Sequence, residues 1–316
     1  MSQLRFRALL KGAATYLPIL KEYACRSSGG TTSARYCYTV WLRHLVKAHE
    51  SRLNANPTCV AELGPGDSLG VGIAALLSGA NHYYALDAKP HAIPEVTLGV
   101  MEELVRFFQD RMDLPADEEF PLTAPRLDSY AFPSSILTES RLRAALSPER
   151  IDLIRNILRG ISTPASSVSI QYAAPWDSPS VVERGKIDMA LSQAVLEHVD
   201  DVPSTYRALR VWLSPSGFMS HSIDFKSHGL TRDWNGHWTV SDPVWRVVRG
   251  HRPYLLNRLP LSDHLREIDN AGFRVVKKVV SNMEGIPRER LAGRFRDMTD
   301  ADRSASGVFV QAVPRS

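Results

Sequence analysis

The stretch Val60-Ala61-Glu62-Leu63-Gly64-Pro65-Gly66-Asp67-Ser68-Leu69-Gly70 constrains this chain more than any other. An apolar run ends in an acid, a glycine-rich turn follows, and a helical pattern begins over 69–77. Doubly wound α/β domains place such a turn after the first strand. Its glycines let the backbone approach a nucleotide-type ligand where a side chain would clash. The spacing is Gly-x-Gly-x-x-Leu, because position 69 is Leu. A dinucleotide fingerprint wants a third glycine there, for helix packing beside a pyrophosphate. Glu62, two residues before the first glycine, suits a cationic ligand or an ammonium group reached through water.

Three further segments follow in order. Tyr83-Tyr84-Ala85-Leu86-Asp87-Ala88 reads as a second strand, over 82–87, ending in an acid placed to bind ribose hydroxyls. Ile187 to Ser192 reads as a fourth strand, continued by Gln193-Ala194-Val195-Leu196-Glu197-His198-Val199-Asp200-Asp201. Leu213-Ser214-Pro215-Ser216-Gly217-Phe218-Met219 reads as the turn into a fifth strand over 217–223. Apolar runs at 167–173, 273–280 and 307–313 supply strands three, six and seven. Helical periodicity marks 95–111, 148–159, 202–212 and 261–271, the last with Ser262 as N-cap and Gly272 as its stop.

Taken together, the acid-x-Gly-x-Gly turn, Asp87, the Leu-Glu-His-Val segment and the turn before strand five resemble the motifs of the class I S-adenosylmethionine (SAM) methyltransferases. The chain is also similar to uncharacterised bacterial methyltransferases of surface-polysaccharide and natural-product pathways. The resemblance implies an α/β fold, a doubly wound, Rossmann-like mixed sheet of seven strands with the seventh antiparallel. It implies a helical N-terminal segment at 1–55 and a SAM-binding domain at 56–316, with insertions at about 92–166, read as a cap, and 225–257.

The resemblance also assigns residues. SAM is the implied cofactor. Glu62, Gly64 and Gly66 match the positions that hold its methionine end. Asp87 and the adjoining Ala88 match the ribose site, and Trp176 with Asp177 falls near the adenine. Ser192 and Gln193, at the end of strand four, face the donor through their backbone. An aligned sulfonium methyl needs a positioned nucleophile, exclusion of water and, for a hydroxyl acceptor, a proton acceptor. Asp224 at the end of strand five, with His198, His228 and His237, supplies the candidate catalytic groups; no residue set reads as a metal site. His221 is expected to point the other way along its strand.

The acceptor is expected to be a small molecule or glycan methylated at a hydroxyl oxygen, with nitrogen or carboxylate acceptors as alternatives. Trp234, Trp238, Trp245 and Tyr254 suit flat or glycosidic acceptors, and Arg246, Arg249, His251, Arg252 and Arg258 suit an anionic one; packing and a solvated face compete with both. Arg35 and Tyr36 are further candidates for lining a ligand pocket. An NAD(P)-dependent oxidoreductase is the competing enzyme class, disfavoured by Leu69, and a non-catalytic binding protein of the same fold is the competing non-enzyme. The net charge of +4 and pI near 9.0 require no nucleic acid, and no Asn-Pro-Pro-Tyr-type base-flipping motif is present. Three cysteines, Cys25, Cys37 and Cys59, fit no metal spacing and suit a reducing compartment, so the cytoplasm is the expected location. No apolar run is long enough to span a bilayer. The basic N-terminal helix leaves peripheral membrane contact open, and a homodimer is admitted.

Overall fold

The computed structural model describes residues 4–16, 30–161, 167–176, 178–252 and 254–315. Expectations placed on Cys25 and Asp177 fall outside these residues.

Seven strands form one sheet: β1 (Cys59–Leu63), β2 (His82–Leu86), β3 (Ser169–Ala173), β4 (Ile187–Gln193), β5 (Leu213–Asp224), β6 (Phe273–Asn282) and β7 (Ala305–Pro314). Their order is β3-β2-β1-β4-β5-β7-β6. The first five run parallel, while β7 lies antiparallel between β5 and β6. β1 is buried along its whole length, as an apolar central strand covered on both faces must be. β5 starts earlier than its pattern predicts. Leu213 already pairs with Ile187, a register shift follows, and Pro215 falls in the irregular part, where its missing N–H costs no ladder bond.

Ten helices accompany the sheet among the described residues: α1 (Phe6–Ala14), α2 (Ala34–Glu50), α3 (Gly70–Leu77), α4 (Pro94–Gln109), α5 (Glu139–Ala145), α6 (Pro148–Leu158), α7 (Val202–Trp212), α8 (Asp242–Arg249), α9 (Leu261–Asn270) and α10 (Asp300–Ser304). One face of the sheet packs against α2, α3, α4 and α6 through Trp41, Tyr83, Leu104, Phe108, Ile154 and Met189. The other packs against α7 and α9 through Tyr206, Leu209, Trp212, Ile268 and Phe273. Val40, Trp41, Leu42 and Leu45 of α2 are fully buried. At roughly 1.5–3 kcal/mol for each such side chain, α2 belongs to the core of the fold. α1 packs on α8 instead. Leu4, Ala8, Trp245 and Val248 form a separate small cluster, and a Cβ on Gly12 would lie 2.1 Å from the Val247 carbonyl oxygen.

Two local expectations need correction. Residues 92–161 carry α4, α5 and α6 into the same core as α2 and α3, and none of them lines the cleft described below. They thicken one helical layer, because the apolar faces of α4 and α6 find their partners on the sheet side. Ser262 does not cap α9. Pro260 holds that position, and Ser262 bonds through its N–H (2.8 Å) and hydroxyl (2.9 Å) to the Asp302 carboxylate. Among the described residues no helix is long and apolar enough to cross a membrane.

Candidate active site

The turn after β1 is held by close packing. Gly64 and Gly66 have φ of +67° and +75°, the left-handed region that side chains disfavour. A Cβ on Gly64 would stand 2.6 Å from Val195 Cγ2, so the glycine also makes room for the segment after β4. The Gly64 N–H donates to the Leu86 carbonyl at 2.8 Å, tying the turn to the end of β2. Ser68 and Leu69 have structural uses. The Ser68 N–H donates to Thr31 Oγ1 at 3.2 Å and the Ser68 hydroxyl to the Thr31 carbonyl, clamping the turn to the loop before α2. Leu69 is buried in the core.

Glu62 lies beneath this turn, 4% exposed, and does not line the cleft. Its Oε2 accepts from the Tyr83 hydroxyl at 2.5 Å. Tyr83 reaches it under Gly72, where a Cβ would stand 2.0 Å from the ring. Burial pushes the Glu62 carboxyl up to about 7, the Tyr83 hydrogen bond opposes the shift, and the Asp87 charge adds to it. The acid expected to meet a ligand therefore joins β1 to β2 below the site.

A cleft of about 540 Å³ opens beyond the carboxyl ends of β1, β2 and β4. Gly64, Gly66, Asp87, Ala88, Trp176 and His198 line it together. Asp87 Oδ1 accepts from the Ala88 N–H at 2.7 Å, while Oδ2 is buried with no partner among the described residues. Burial raises the Asp87 carboxyl, and the Ala88, Lys89 and Gly66 N–H groups, with the His91 charge, oppose this. A buried acceptor short of donors carries part of the desolvation penalty of an unmade hydrogen bond, which a ligand's hydroxyl would relieve. The Trp176 N–H donates to the Asp87 carbonyl at 3.0 Å, and its ring meets Trp212 edge-on at 5.3 Å. Ser192 and Gln193 fall short of the cleft lining. Their side chains turn into the sheet, Ser192 to His221 (2.8 Å) and Gln193 to His44 (3.2 Å), and the cleft meets Ala194 and Val195 just past the strand end.

His198 stands at the cleft wall with its ring 5.0 Å from that of His228. His228 Nε2 is 3.8 Å from Asp224 Oδ2 and 3.9 Å from Glu197 Oε1. Asp224 Oδ1 accepts from the Lys226 N–H (2.9 Å) and ammonium (3.0 Å). Burial lowers the His198 imidazole to about 4, and burial also lowers His228 against the pull of Asp224. His198, Asp224 and His228 thus converge, and Glu197 joins them. His237 does not line the cleft. It is buried against Trp238, lowered to about 3 by burial and by Arg258. The tryptophans pack as well: Trp238 and Trp245 are buried, and Arg258 stacks between Trp245 (4.5 Å) and Phe295 (5.0 Å). Of the aromatic group only Tyr254 reaches the cleft, its hydroxyl donating to the Ala88 carbonyl at 3.3 Å. Of the basic run, Arg249 pairs with Asp200 at the cleft edge. Arg35 pairs with Glu119 at 2.6 Å, away from the lining. Tyr36 meets Phe120 edge-on at 5.6 Å and lies outside the lining too.

Sequence reasoning missed Glu197, His91, Pro175, Asp201 and Ser204 as neighbours of the site, while Tyr254 belongs to the aromatic group it did name. Glu197 adjoins His198 in the segment already singled out, so adjacency was a signal for it. Tyr254 was classed only with the aromatics, and its arrival at Ala88 is a tertiary fact.

No family model matches the chain. A ubiquinone biosynthesis O-methyltransferase of Ralstonia nicotianae is 26% identical over 184 residues, spanning 55% of this chain and 71% of the relative. A SAM-dependent methyltransferase of Methanosarcina mazei overlays 85% of this chain and 97% of its own at 11% identity and a TM-score of 0.44. The magnesium protoporphyrin IX methyltransferase of Synechocystis, with bound SAH, overlays 89% and 84% at 12% identity and a TM-score of 0.42. These likenesses are loose, and the fold is assigned from the sheet itself. A dinucleotide-binding sheet continues 3-2-1-4-5-6 in parallel, whereas here β7 enters antiparallel between β5 and β6. That sheet, with the glycine turn and Asp87 at one cleft, gives this chain the fold of the class I SAM methyltransferases.

Proposed function

We propose that this chain is a SAM-dependent methyltransferase that binds its donor in the cleft at Gly64, Gly66 and Asp87 and methylates a hydroxyl oxygen of a small-molecule or glycan acceptor. The observation that carries the reading is Asp87 at the end of β2, its buried Oδ2 without a side-chain partner, lining one cleft with the two positive-φ glycines of the turn. The residues fit the donor. Asp87 offers an acceptor for ribose hydroxyls, Trp176 and Pro175 offer apolar surface for a base, and a cleft of about 540 Å³ suits a molecule of this size. SAM supplies a methyl group already activated by the sulfonium charge.

The chain's own task is to align the acceptor, exclude water and handle its proton. The Glu197, His198, Asp224 and His228 cluster is the group placed to do so, since His198 stands at the cleft wall. Tyr254 and the Arg249–Asp200 pair bring the 225–257 excursion to the cleft rim, which supports acceptor recognition there. The name of the Ralstonia relative, an O-methyltransferase, favours oxygen over nitrogen. Isothermal calorimetry with SAM, S-adenosylhomocysteine and NAD tests the donor. The expected result is binding of both sulfur compounds and none of NAD; heat with NAD alone would return the oxidoreductase reading. Transfer of labelled methyl to phenolic, sugar and carboxylate panels tests the acceptor class.

A further inference from the structure

Where β4 and β5 run out, a buried carboxylate and two imidazoles gather within reach of one another. Glu197 is 2% exposed, and among the described residues its carboxylate meets no side-chain donor, only the backbone N–H groups of Glu197 and Asp224. A carboxylate removed from water and met by backbone N–H groups alone calls for a cation or a proton. His198 Nδ1 is buried without a partner, while the ring is held by a hydrogen bond to the Tyr254 backbone. Such an outer bond fixes the tautomer and orientation of a ligating imidazole. His228 presents Nε2 toward Glu197 Oε1 at 3.9 Å. One ligand atom from each of Glu197, His198 and His228 lies within 4.8 Å of the other two. His228 is held at φ +47°, beside Gly229 at +74°. Such backbone at a non-glycine residue gathers at ligand sites. The nearby ammonium, on Lys226, is engaged with Asp224 at 3.0 Å.

We propose that Glu197, His198 and His228 form a binding site for a divalent transition metal of the zinc type, with Asp224 beside it and an open position toward the cleft for an oxygen of the acceptor. One carboxylate and two imidazoles with a free position is a donor set that catalytic zinc uses and that non-haem iron shares, whereas magnesium prefers oxygen ligands. Metal–ligand bonds of about 2.0–2.1 Å put tetrahedral ligands roughly 3.3 Å apart, so the His228–Glu197 gap needs to close by about half an ångström. A hydroxyl bound there loses its proton to water more readily, as metal-bound water does. The metal site stands on these side chains alone; only its role toward an acceptor rests on the methyl-transfer reading.

The test uses the full chain, stripped with a chelator and titrated with Zn²⁺ by calorimetry, with Co²⁺ absorption as a report on coordination. The expected result is one equivalent bound, with affinity falling on the order of a hundredfold in Glu197→Gln and in His228→Asn. Asn tolerates positive φ, so the second variant keeps the backbone; urea unfolding checks that both are folded. Absence of stoichiometric binding by the unaltered chain, or binding that both variants retain, overturns the site. S-adenosylhomocysteine binding measured on the same preparations separates the two readings: it stays within about twofold in both variants, and its presence without metal binding overturns the metal site while leaving the donor reading intact.

Discussion

Asp87→Asn moves stability and ligand affinity in opposite directions if Asp87 is a donor-binding residue. Asp87 Oδ1 accepts the Ala88 N–H at 2.7 Å, and an Asn carbonyl oxygen in the same place keeps that bond. What changes is Oδ2, a buried charged acceptor with no partner among the described residues. In the ligand-free protein its burial is a cost, seen in the raised carboxyl. A neutral amide there leaves stability unchanged or raises it. In the complex, the charge-assisted hydrogen bond from a ribose hydroxyl is worth about 1.5–3 kcal/mol. Its loss weakens S-adenosylhomocysteine binding by roughly tenfold to 150-fold. Calorimetry reads the affinity and urea unfolding without ligand reads the stability. Unchanged affinity would refute the ribose assignment. A loss of stability above about 1 kcal/mol would show that Oδ2 serves the apo fold, and the reasoning from an unmade bond would then fail.

Two other expectations concern the scaffold. Burial lowers His44, His198 and His264 to about 4 and His221 and His237 to about 3. The unfolded chain protonates these imidazoles near 6.5 and the native one does not, so their stabilising effect is complete above that pH and is lost as pH falls toward 4. The raised carboxyls of Glu62, Glu197 and Asp87 act in the opposite sense. The imidazoles outnumber them, so stability falls as pH drops below 6.5; urea unfolding at several pH values that shows flat or rising stability would contradict this. Gly72→Ala drives a methyl into the Tyr83 ring, with a Cβ only 2.0 Å from it. The expected cost is about 3 kcal/mol or more in chemical denaturation, and a loss under about 1 kcal/mol would mean that Tyr83 moves aside easily.

The order and type of nearly every sheet element was legible in the chain because period and punctuation are local. Apolar runs bounded by Gly, Pro and Ser mark β1 to β7 to within a few residues, β5 excepted at its start. Gly64, Gly66 and Asp87 were legible for the same reason, since each answers to a backbone rule at a strand end. Side-chain direction was less so. Glu62 reads as a ligand contact but bonds Tyr83, because which side of the turn a carboxylate enters depends on the strand beside it. Ser192 and Gln193 turn to His221 and His44, groups distant in sequence. His237 and His228 sit nine positions apart in one excursion, yet one packs in the core and the other faces Glu197.

By itself the sequence determined the α/β class, the strand run and the turn at 62–70, because these follow from local periodicity and from glycine's freedom at positive φ. Only the tertiary structure decided that β7 enters between β5 and β6, that 92–161 joins a helical layer, and that Glu197, Asp224 and His228 gather behind His198, which lines the cleft. Those outcomes depend on which distant surfaces bury one another, and burial lowers the His198 and His228 imidazoles while raising the Glu197 carboxyl.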